Sequence, residues 1–128
     1  MLEILKQDNK ESYKDIIAEL NIPLSAAQVS EAMDNGNVTG YGIYEFSENS
    51  ILIHKIAPEN DLLLFDGIAR SVMFLAVLKG IERAEFGESL IKNARLLKYI
   101  NMDSTVLEPI SSIFNGCEHC RHNKAKPD

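Results

Sequence analysis

Apolar residues in the first part of the chain change from near alternation to helical spacing. The alternation predicts a strand over Leu2–Lys6. The helical spacing that follows predicts a helix capped by Asp8 or Asn9 and running to about Leu20. Pro23 ends this helix, and further apolar residues at helical spacing predict a second helix over Ala26–Asp34. The chain is therefore expected to begin with a strand and two helices.

The middle of the chain holds two strand-like segments on either side of a short polar connection. Aromatic and β-branched residues dominate Val38–Phe46 and Ser50–Ile56, so these segments are predicted to form an antiparallel hairpin. Gly40 and Gly42 are unusual inside a strand. They indicate a bulge, or a position where another group approaches the backbone closely.

The stretch "LLFDGIARSVMFLAVLKGIERAEF", residues 63–86, predicts a helix followed by a short strand. Asp66 can cap the helix, and Gly80 follows its last periodic residue as a left-handed stop. Arg83–Phe86 is the short strand. Together with the strand before the helix, this stretch predicts a β-α-β unit.

Two further elements are predicted before the chain becomes polar. A last helix is expected over about Ser89–Ile100, and residues 105–114 favour an edge strand interrupted by Pro109. No internal repeat or long linker divides the chain. Residues 1–114 are therefore predicted to form one α/β domain with five or six strands, and residues 115–128 a flexible polar tail.

The composition is that of a soluble globular protein. Of the 128 residues, 45% are hydrophobic and 25% are charged, and a chain of this length fits one domain. No apolar run approaches the ~20 residues that a membrane-spanning helix needs, and the N-terminus lacks the basic and apolar regions of a secretory signal. We therefore expect a cytoplasmic protein without a membrane partner.

The charge of the chain argues against nucleic acid as its main partner. The net charge is −6 and the sequence pI is about 5.0. Binding to a phosphate backbone depends on clustered Lys and Arg, and no basic stripe occurs before the tail. Assembly as a homodimer stays open.

The order of the predicted elements, over most of the chain up to about Phe114, resembles that of the GNAT family of acyl-CoA N-acyltransferases. The resemblance implies a mixed, mostly antiparallel sheet flanked by helices. Only one hairpin is predicted between the second helix and the β-α-β unit, where the family has three strands. The chain is thus expected to be a short and divergent member with fewer strands than usual.

The family holds the pyrophosphate of its cofactor with a Q/R-x-x-G-x-G/A loop at the start of the central helix, where free N–H groups and the helix dipole favour an anion. Leu64–Ala69 occupies this place: Gly67 and Ala69 match, whereas Leu64 replaces Gln or Arg. An ordinary helix start without a ligand, and an ion-paired Arg70, are the alternatives. The resemblance implies that acetyl-CoA or CoA contacts Ile56 and Ala57 through its pantetheine, and Gly67, Ile68, Ala69 and Arg70 through its pyrophosphate.

The last helix of the family ends in a pattern like L-Y-x-x-x-G-F, whose tyrosine commonly acts as general acid to the leaving thiolate. The segment "LLKYINM", residues 96–102, occupies this place. Leu97 stands at the tyrosine position and Asn101 at the glycine position, where Asn can also adopt the left-handed conformation. Tyr99 lies two residues beyond Leu97 and is predicted on another face of the helix.

An N-acyltransferase needs a group that accepts the proton of the amine. His54 and Glu45 are the candidate catalytic residues, and Glu59 is a further carboxylate. A partly buried, hydrogen-bonded structural histidine is the alternative for His54. The first hypothesis is therefore an acetyl-CoA-dependent N-acetyltransferase that acts on a small-molecule or peptide amine.

A second hypothesis is a non-catalytic module of the same fold that binds another protein or self-associates. Leu64 and Leu97 favour it, because each replaces a polar functional group of the family with an apolar side chain. The segment "LLLF", residues 62–65, is also more apolar than a phosphate loop needs and would suit a contact surface.

The tail carries a cluster of potential metal ligands. Cys117, His119, Cys120 and His122 form C-x-H-C-x-H, and all four side chains are good ligands for Zn²⁺. Four ligands so close in sequence cannot readily close a tetrahedron alone, so a partner subunit or His54 would have to complete the site. The alternative is a reduced, exposed tail without metal. Both cysteines of the chain lie here, so no disulfide is expected in the core.

Overall fold

Residues 2–114, which the computed structural model describes, build a six-stranded sheet whose strands follow one another in chain order. The strands are β1 (Leu2–Gln7), β2 (Gln28–Asp34), β3 (Asn37–Phe46), β4 (Ile51–Ala57), β5 (Ala84–Phe86) and β6 (Val106–Leu107). Each neighbouring pair is antiparallel except β4 and β5, which are parallel. The helices are α1 (Lys14–Glu19), α2 (Leu62–Leu78) and α3 (Ile91–Leu96), with 3₁₀ turns at Glu11–Tyr13, Glu88–Leu90 and Ile110–Ile113.

The two faces of the sheet pack against different helices. On one face, which we call the α2 face, Tyr44 of β3 joins the main core with Ile68 and Val72 of α2. On the other, the α1 face, Ile43 of β3 joins a smaller core with Ile17 of α1. This is the alternation expected of a strand that is covered on both sides.

Helix α2 crosses the sheet with one continuous buried stripe. The stripe consists of Phe65, Ile68, Ala69, Val72, Met73 and Ala76. The predicted stop at Gly80 is confirmed: its φ is +80°, and its N–H donates to the carbonyl of Val77 at 2.9 Å. The N–H of Ile81 donates to the carbonyl of Ala76 at 2.9 Å, which completes the Schellman pattern at this helix end.

The glycines of β3 allow α2 and β4 to approach its backbone, as the sequence indicates. A Cβ on Gly40 would lie 2.6 Å from the carbonyl oxygen of Ala57, and one on Gly42 would lie 3.1 Å from Cγ2 of Ile68. A bulge lies nearby as well, because Ala32 pairs with Gly40 while the next residue pairs with Val38. The groups that approach these glycines therefore belong to the chain itself.

The helix predicted over Ala26–Asp34 is wrong, because most of this segment is the strand β2. Its side chains alternate between the two cores: Val29 lies on the α1 face, whereas Ser30 and Ala32 lie on the α2 face. Tertiary packing on both sides overrides the helical preference of its Ala, Gln and Glu residues. Three strands therefore lie between α1 and α2, and the strand that the sequence interpretation left out is present.

Two helix boundaries also differ from the prediction. Helix α2 begins at Leu62, not after Asp66, and its cap is Asp61, whose Oδ1 accepts a hydrogen bond from the N–H of Leu64 at 3.1 Å. Helix α3 ends at Leu96. Its stop is Lys98, with a φ of 64°, and not Asn101. The predicted edge strand is confirmed over two residues, before Pro109.

Within residues 2–114, no helix is both long enough and apolar enough to span a membrane.

Candidate active site

The parallel strands β4 and β5 stay together for only three residue pairs and then separate. Ile51–Ile53 pairs with Ala84–Phe86. The N–H of Gly87 donates to the carbonyl of Ile53 at 2.8 Å, after which the chain turns into the 3₁₀ turn Glu88–Leu90. Strand pairing therefore ends beside the second half of β4; we call the region between that strand and the start of α3 the gap, and Ile56 and Leu90 on its two sides are fully buried.

A bulge in β4 lies where this gap begins. Ile43 of β3 pairs with Lys55 while Tyr44 pairs with Ile53, so His54 is the extra residue. Beyond the bulge, the alternation of an antiparallel ladder directs the backbone N–H and C=O of Ile56 away from β3 and toward the gap. Ile56 is fully buried, backbone included, so these two groups face the gap but are covered in the structure.

His54 and Glu45 form a hydrogen-bonded pair at this position. His54 Nε2 lies 2.9 Å from Glu45 Oε1, and each side chain is about a quarter exposed, at 25% and 23%. Glu45 alternates with Tyr44 along β3, so the pair lies on the α1 face of the sheet. A proton on Nε2, donated to the carboxylate, leaves Nδ1 as the free base of the imidazole. The structure thus brings together the two residues that the sequence suggests as catalytic.

A small cavity lies at the far end of the gap, between the β4–α2 loop and the start of α3. Its volume is about 240 Å³, and it is lined by Glu59, Asn60, Ser89, Lys92 and Asn93. The buried side chain of Asn93 donates from Nδ2 to the backbone carbonyl of Glu59 at 2.9 Å. Burial raises the pKa of Tyr41, and the negative charge of Glu59 adds to the shift. Glu59 thus lines this cavity and acts on Tyr41, whereas the carboxylate paired with His54 is that of Glu45.

The predicted phosphate loop does not have the expected free donors. Gly67, Ile68, Ala69 and Arg70 lie in the second and third turns of α2, where each backbone N–H is used within the helix. The side chains of Ile68 and Ala69 are also fully buried. Since the helix starts one turn earlier, the N–H groups without an intrahelical acceptor are those of Leu62–Leu64, and Asp61 already accepts the last of these.

Arg70 belongs to a network between α2 and the end of the described chain. Its Nε donates to Oδ1 of Asp66 at 3.0 Å, and its Nη1 donates to the carbonyl of Ile113 at 3.2 Å. The hydroxyl of Tyr99 donates to the same carboxylate, and burial followed by that hydrogen bond raises the pKa of Tyr99. Arg70 is thus the ion-paired arginine of the alternative interpretation.

The helix-end motif has a different register from the one predicted. The left-handed residue is Lys98, so the glycine position of the family pattern falls there and the tyrosine position falls on Ala94 instead of Leu97. Ala94 is fully buried. Tyr99 stands at the phenylalanine position and stacks on Phe86, with ring centroids 5.9 Å apart. Neither register places a tyrosine hydroxyl where the family has its acid.

Asn93 is the residue at this site that sequence reasoning missed. It lies between Leu90 and Ala94 on the buried side of α3. A polar residue within an apolar stripe is the signal that could have found it, because a buried amide needs a hydrogen-bond partner.

The predicted metal ligands Cys117, His119, Cys120 and His122 lie outside the described residues. Among residues 2–114, no three His, Cys, Asp or Glu side chains are grouped so as to hold a metal ion.

Comparison with known proteins reveals similarity in structure only. No family model matches the chain, and no curated protein matches its sequence. A GNAT-family protein of Desulfovibrio desulfuricans is 12% identical, with a TM-score of 0.57 over 77% of this chain and 82% of that one. The ribosomal-protein-alanine N-acetyltransferase of Brucella melitensis biovar Abortus is 13% identical, with a TM-score of 0.57 over 81% and 93%. A Thermoplasma acidophilum N-acetyltransferase in complex with coenzyme A is 9% identical, with a TM-score of 0.52 over 77% and 74%. At such identities the matches show the fold.

Proposed function

We propose that this chain, whose fold is that of the GNAT acetyltransferases, is an acyl-CoA-dependent N-acyltransferase that acts on an amine. The observation that carries the proposal is the Glu45–His54 pair at the bulge where β4 and β5 separate. A base at this position would lie beside the point where the two strands separate.

His54 is proposed to accept the proton of the amine on Nδ1. Glu45 holds the imidazole by its Nε2 proton, which fixes the tautomer and favours the imidazolium that forms. Acyl-CoA, when bound, would supply the thioester that the amine attacks. The backbone N–H and C=O of Ile56, which face the gap but are covered in the structure, would bind the amides of its pantetheine once the gap opens.

The pyrophosphate of the cofactor is proposed to lie at the first turn of α2, one turn before the sequence motif. Leu62 and Leu63 have the backbone donors of this turn, and the helix dipole adds a partial positive charge. Lys92 of α3, which lines the cavity, would supply an ammonium group on this route. Asp61, in contrast, would repel a phosphate, so we expect weak binding of CoA.

The catalytic proposal is tested with His54→Gln and Glu45→Gln. Release of the CoA thiol from acetyl-CoA is measured over a panel of amines, together with CoA binding by calorimetry. We expect His54→Gln to lower kcat by about 10²–10⁴ and Glu45→Gln by about tenfold or more, both with unchanged binding of CoA. Glu19→Gln, on the exposed end of α1, is the matched control and should behave like the native chain.

The cofactor route is tested separately with Leu63→Glu and its neutral counterpart Leu63→Gln. Leu63 is 84% exposed in the first turn of α2, so a carboxylate there should not harm the fold and should favour the helix dipole. We expect Leu63→Glu to weaken CoA binding by about tenfold, since it places a second negative charge beside the pyrophosphate, and Leu63→Gln to bind normally. No binding of CoA by the native chain at about millimolar concentration would overturn the enzyme proposal and leave the non-catalytic module.

A further inference from the structure

A second groove lies at the opposite end of α2 from the candidate active site. It runs between the last turns of α2 and the ends of β1, β2 and β3 that meet there, and its volume is about 360 Å³. Its lining consists of Lys6, Gln28, Phe46, Leu75, Leu78 and Lys79. Nothing in the proposed acyl transfer uses these residues.

The floor of the groove is apolar and well supported. Phe46 packs edge-on against Tyr44 with ring centroids 5.8 Å apart, and the buried hydroxyls of Tyr44 and Ser30 are hydrogen-bonded to each other at 2.8 Å. Leu78 is 68% exposed on the α2 side of the groove. A hydrocarbon group lying on Phe46 and Leu78 would remove this apolar surface from water.

Two lysines lie at the rim without a carboxylate partner. The ammonium of Lys79 lies 5.0 Å from the ring centroid of Phe46, which holds it over the groove. Within residues 2–114, no acidic side chain comes within ion-pair distance of Lys6 or Lys79, and none lines the groove. Most described lysines lack a carboxylate partner, so what distinguishes Lys6 and Lys79 is that both line one apolar groove. The helix dipole favours a positive charge at the C-terminal end of α2, which would explain a lysine at position 79. Lys6 lies on β1 and has no such explanation.

We propose that this groove binds an amphiphilic organic anion, a hydrocarbon chain or ring that ends in one carboxylate. The apolar floor takes the hydrocarbon, and the two ammonium groups take the carboxylate with charge-assisted hydrogen bonds. Gln28 offers a neutral amide as a further donor. The volume lies at the small end of ligand sites, which fits a molecule of medium length.

The proposal is tested with decanoate as the probe, below its micelle-forming concentration, on the full chain by calorimetry. Decanol and decylamine are the neutral and cationic counterparts with the same hydrocarbon. We expect decanoate to bind at least about tenfold more tightly than either, since only it pairs with both lysines. Amide resonances of Phe46, Leu78 and Lys79 should shift on binding, and that of His54 should not.

Charge-reversal variants test whether decanoate binds in this groove. Lys79→Glu and Lys6→Glu should each weaken decanoate binding by about tenfold, because each turns an attraction into a repulsion. Lys14→Glu makes the same charge change on α1 and should leave binding unchanged. Leu78→Gln, which keeps the charges and alters an exposed side chain, should also weaken binding.

Three results would overturn the proposal. The first is absence of decanoate binding at about millimolar concentration. The second is decanol binding as tightly as decanoate, which would leave a hydrophobic surface without anion recognition. The third is an equal loss in Lys14→Glu and Lys79→Glu, which would indicate attraction to the chain as a whole.

Discussion

At the scale of single residues, two glycines of this chain have opposite surroundings. A Cβ on Gly40 in β3 would lie 2.6 Å from the carbonyl oxygen of Ala57, a backbone atom that cannot move alone. A Cβ on Gly67 in α2 would lie 3.6 Å from Cδ1 of Ile4, which is an ordinary contact. The first glycine is therefore required by packing, and the second is not.

The two substitutions should change stability in opposite directions. Gly40→Ala should lower the free energy of unfolding by about 1–3 kcal/mol through overpacking. Gly67→Ala should raise it by about 0.5–1 kcal/mol, because alanine loses less backbone entropy than glycine inside a helix. Denaturant unfolding of both variants measures the difference. A loss in Gly67→Ala would contradict the ordinary contact that a Cβ at this position makes with Ile4.

Sequence reasoning could select His54 and Glu45 but not their contact. Both stand out as titratable groups within an aromatic and β-branched hairpin. Their pairing depends on the bulge, because Glu45 lies opposite Leu52 in the register and His54 is an extra residue. Asn93 could not be linked to Glu59 either, since its partner is a backbone carbonyl 34 positions away.

At the scale of elements, the three helices end in the same way with different residues. The left-handed residue after α1 is Asn21, after α2 Gly80 and after α3 Lys98, with φ values of 61°, 80° and 64°. In each case the following N–H donates back to the carbonyl five residues before it, as in the bond from Tyr99 to Ala94 at 2.9 Å. Lysine has a Cβ and is the least suited of the three to this conformation.

Replacing that lysine should stabilise α3. Lys98→Gly should raise the free energy of unfolding by about 1 kcal/mol, since it removes the left-handed strain of a side chain that is exposed. Gly80→Ala is the reverse substitution and should lower the free energy of unfolding by about the same amount. The cause is the left-handed conformation alone, because a Cβ there would meet nothing within 4 Å. Equal thermal midpoints for Lys98→Gly and the native chain would contradict the assignment of strain.

The element boundaries that the sequence missed have two physical causes. Asp61 and Asp66 both precede apolar residues at helical spacing, so the sequence allows either to cap the helix. Phe65 belongs to the buried stripe of α2, so the helix must begin before it, and Asp61 is the cap. Strand β2 has helix-forming residues, but it pairs with β3 across the two-residue turn Asn35–Gly36, whose φ values are both positive, and with the more distant β1. The Asn-Gly pair is a local hairpin signal that the helix prediction overlooked.

At the scale of the whole molecule, all four tyrosines of the chain are held in the neutral form. Burial is the largest cause of the raised pKa of Tyr13, Tyr41, Tyr44 and Tyr99. The unfolded chain releases these protons near pH ~10, before the folded one does. The stability that the neutral phenols contribute is therefore complete below that pH and is lost as pH rises through the raised values.

We therefore expect alkaline unfolding to be cooperative with tyrosine ionisation. Near-ultraviolet absorbance of tyrosinate and circular dichroism of the backbone, followed together against pH, should change in one transition above the pKa of free tyrosine. Gradual ionisation centred at pH ~10 with an unchanged backbone signal would show that the phenols are more accessible than their burial indicates.

Much of the architecture could be predicted from the order of elements. The β3–β4 hairpin, the β-α-β unit and the stop at Gly80 follow from local patterns of a few residues. The residues around the gap could not be predicted from local patterns, because they depend on where β4 and β5 separate and on how α3 returns to the sheet. Fold class is thus encoded locally in this chain, and the site is encoded by long-range packing.

The bulge at His54 has a consequence for how this protein can evolve. Ile53 and Ile56 on either side are fixed in the core, whereas the bulged residue has no residue opposite it in the register of β3, and only its side chain contacts that strand, at Glu45. Natural selection can therefore replace its side chain, and with it the chemistry beside the gap, at little cost to the fold. Loss of the position itself would be different, because a register slip of one residue would send Ile56 to the opposite face of the sheet. Along a lineage, the side chain at this position should change only together with the reaction, and deletions should be almost absent.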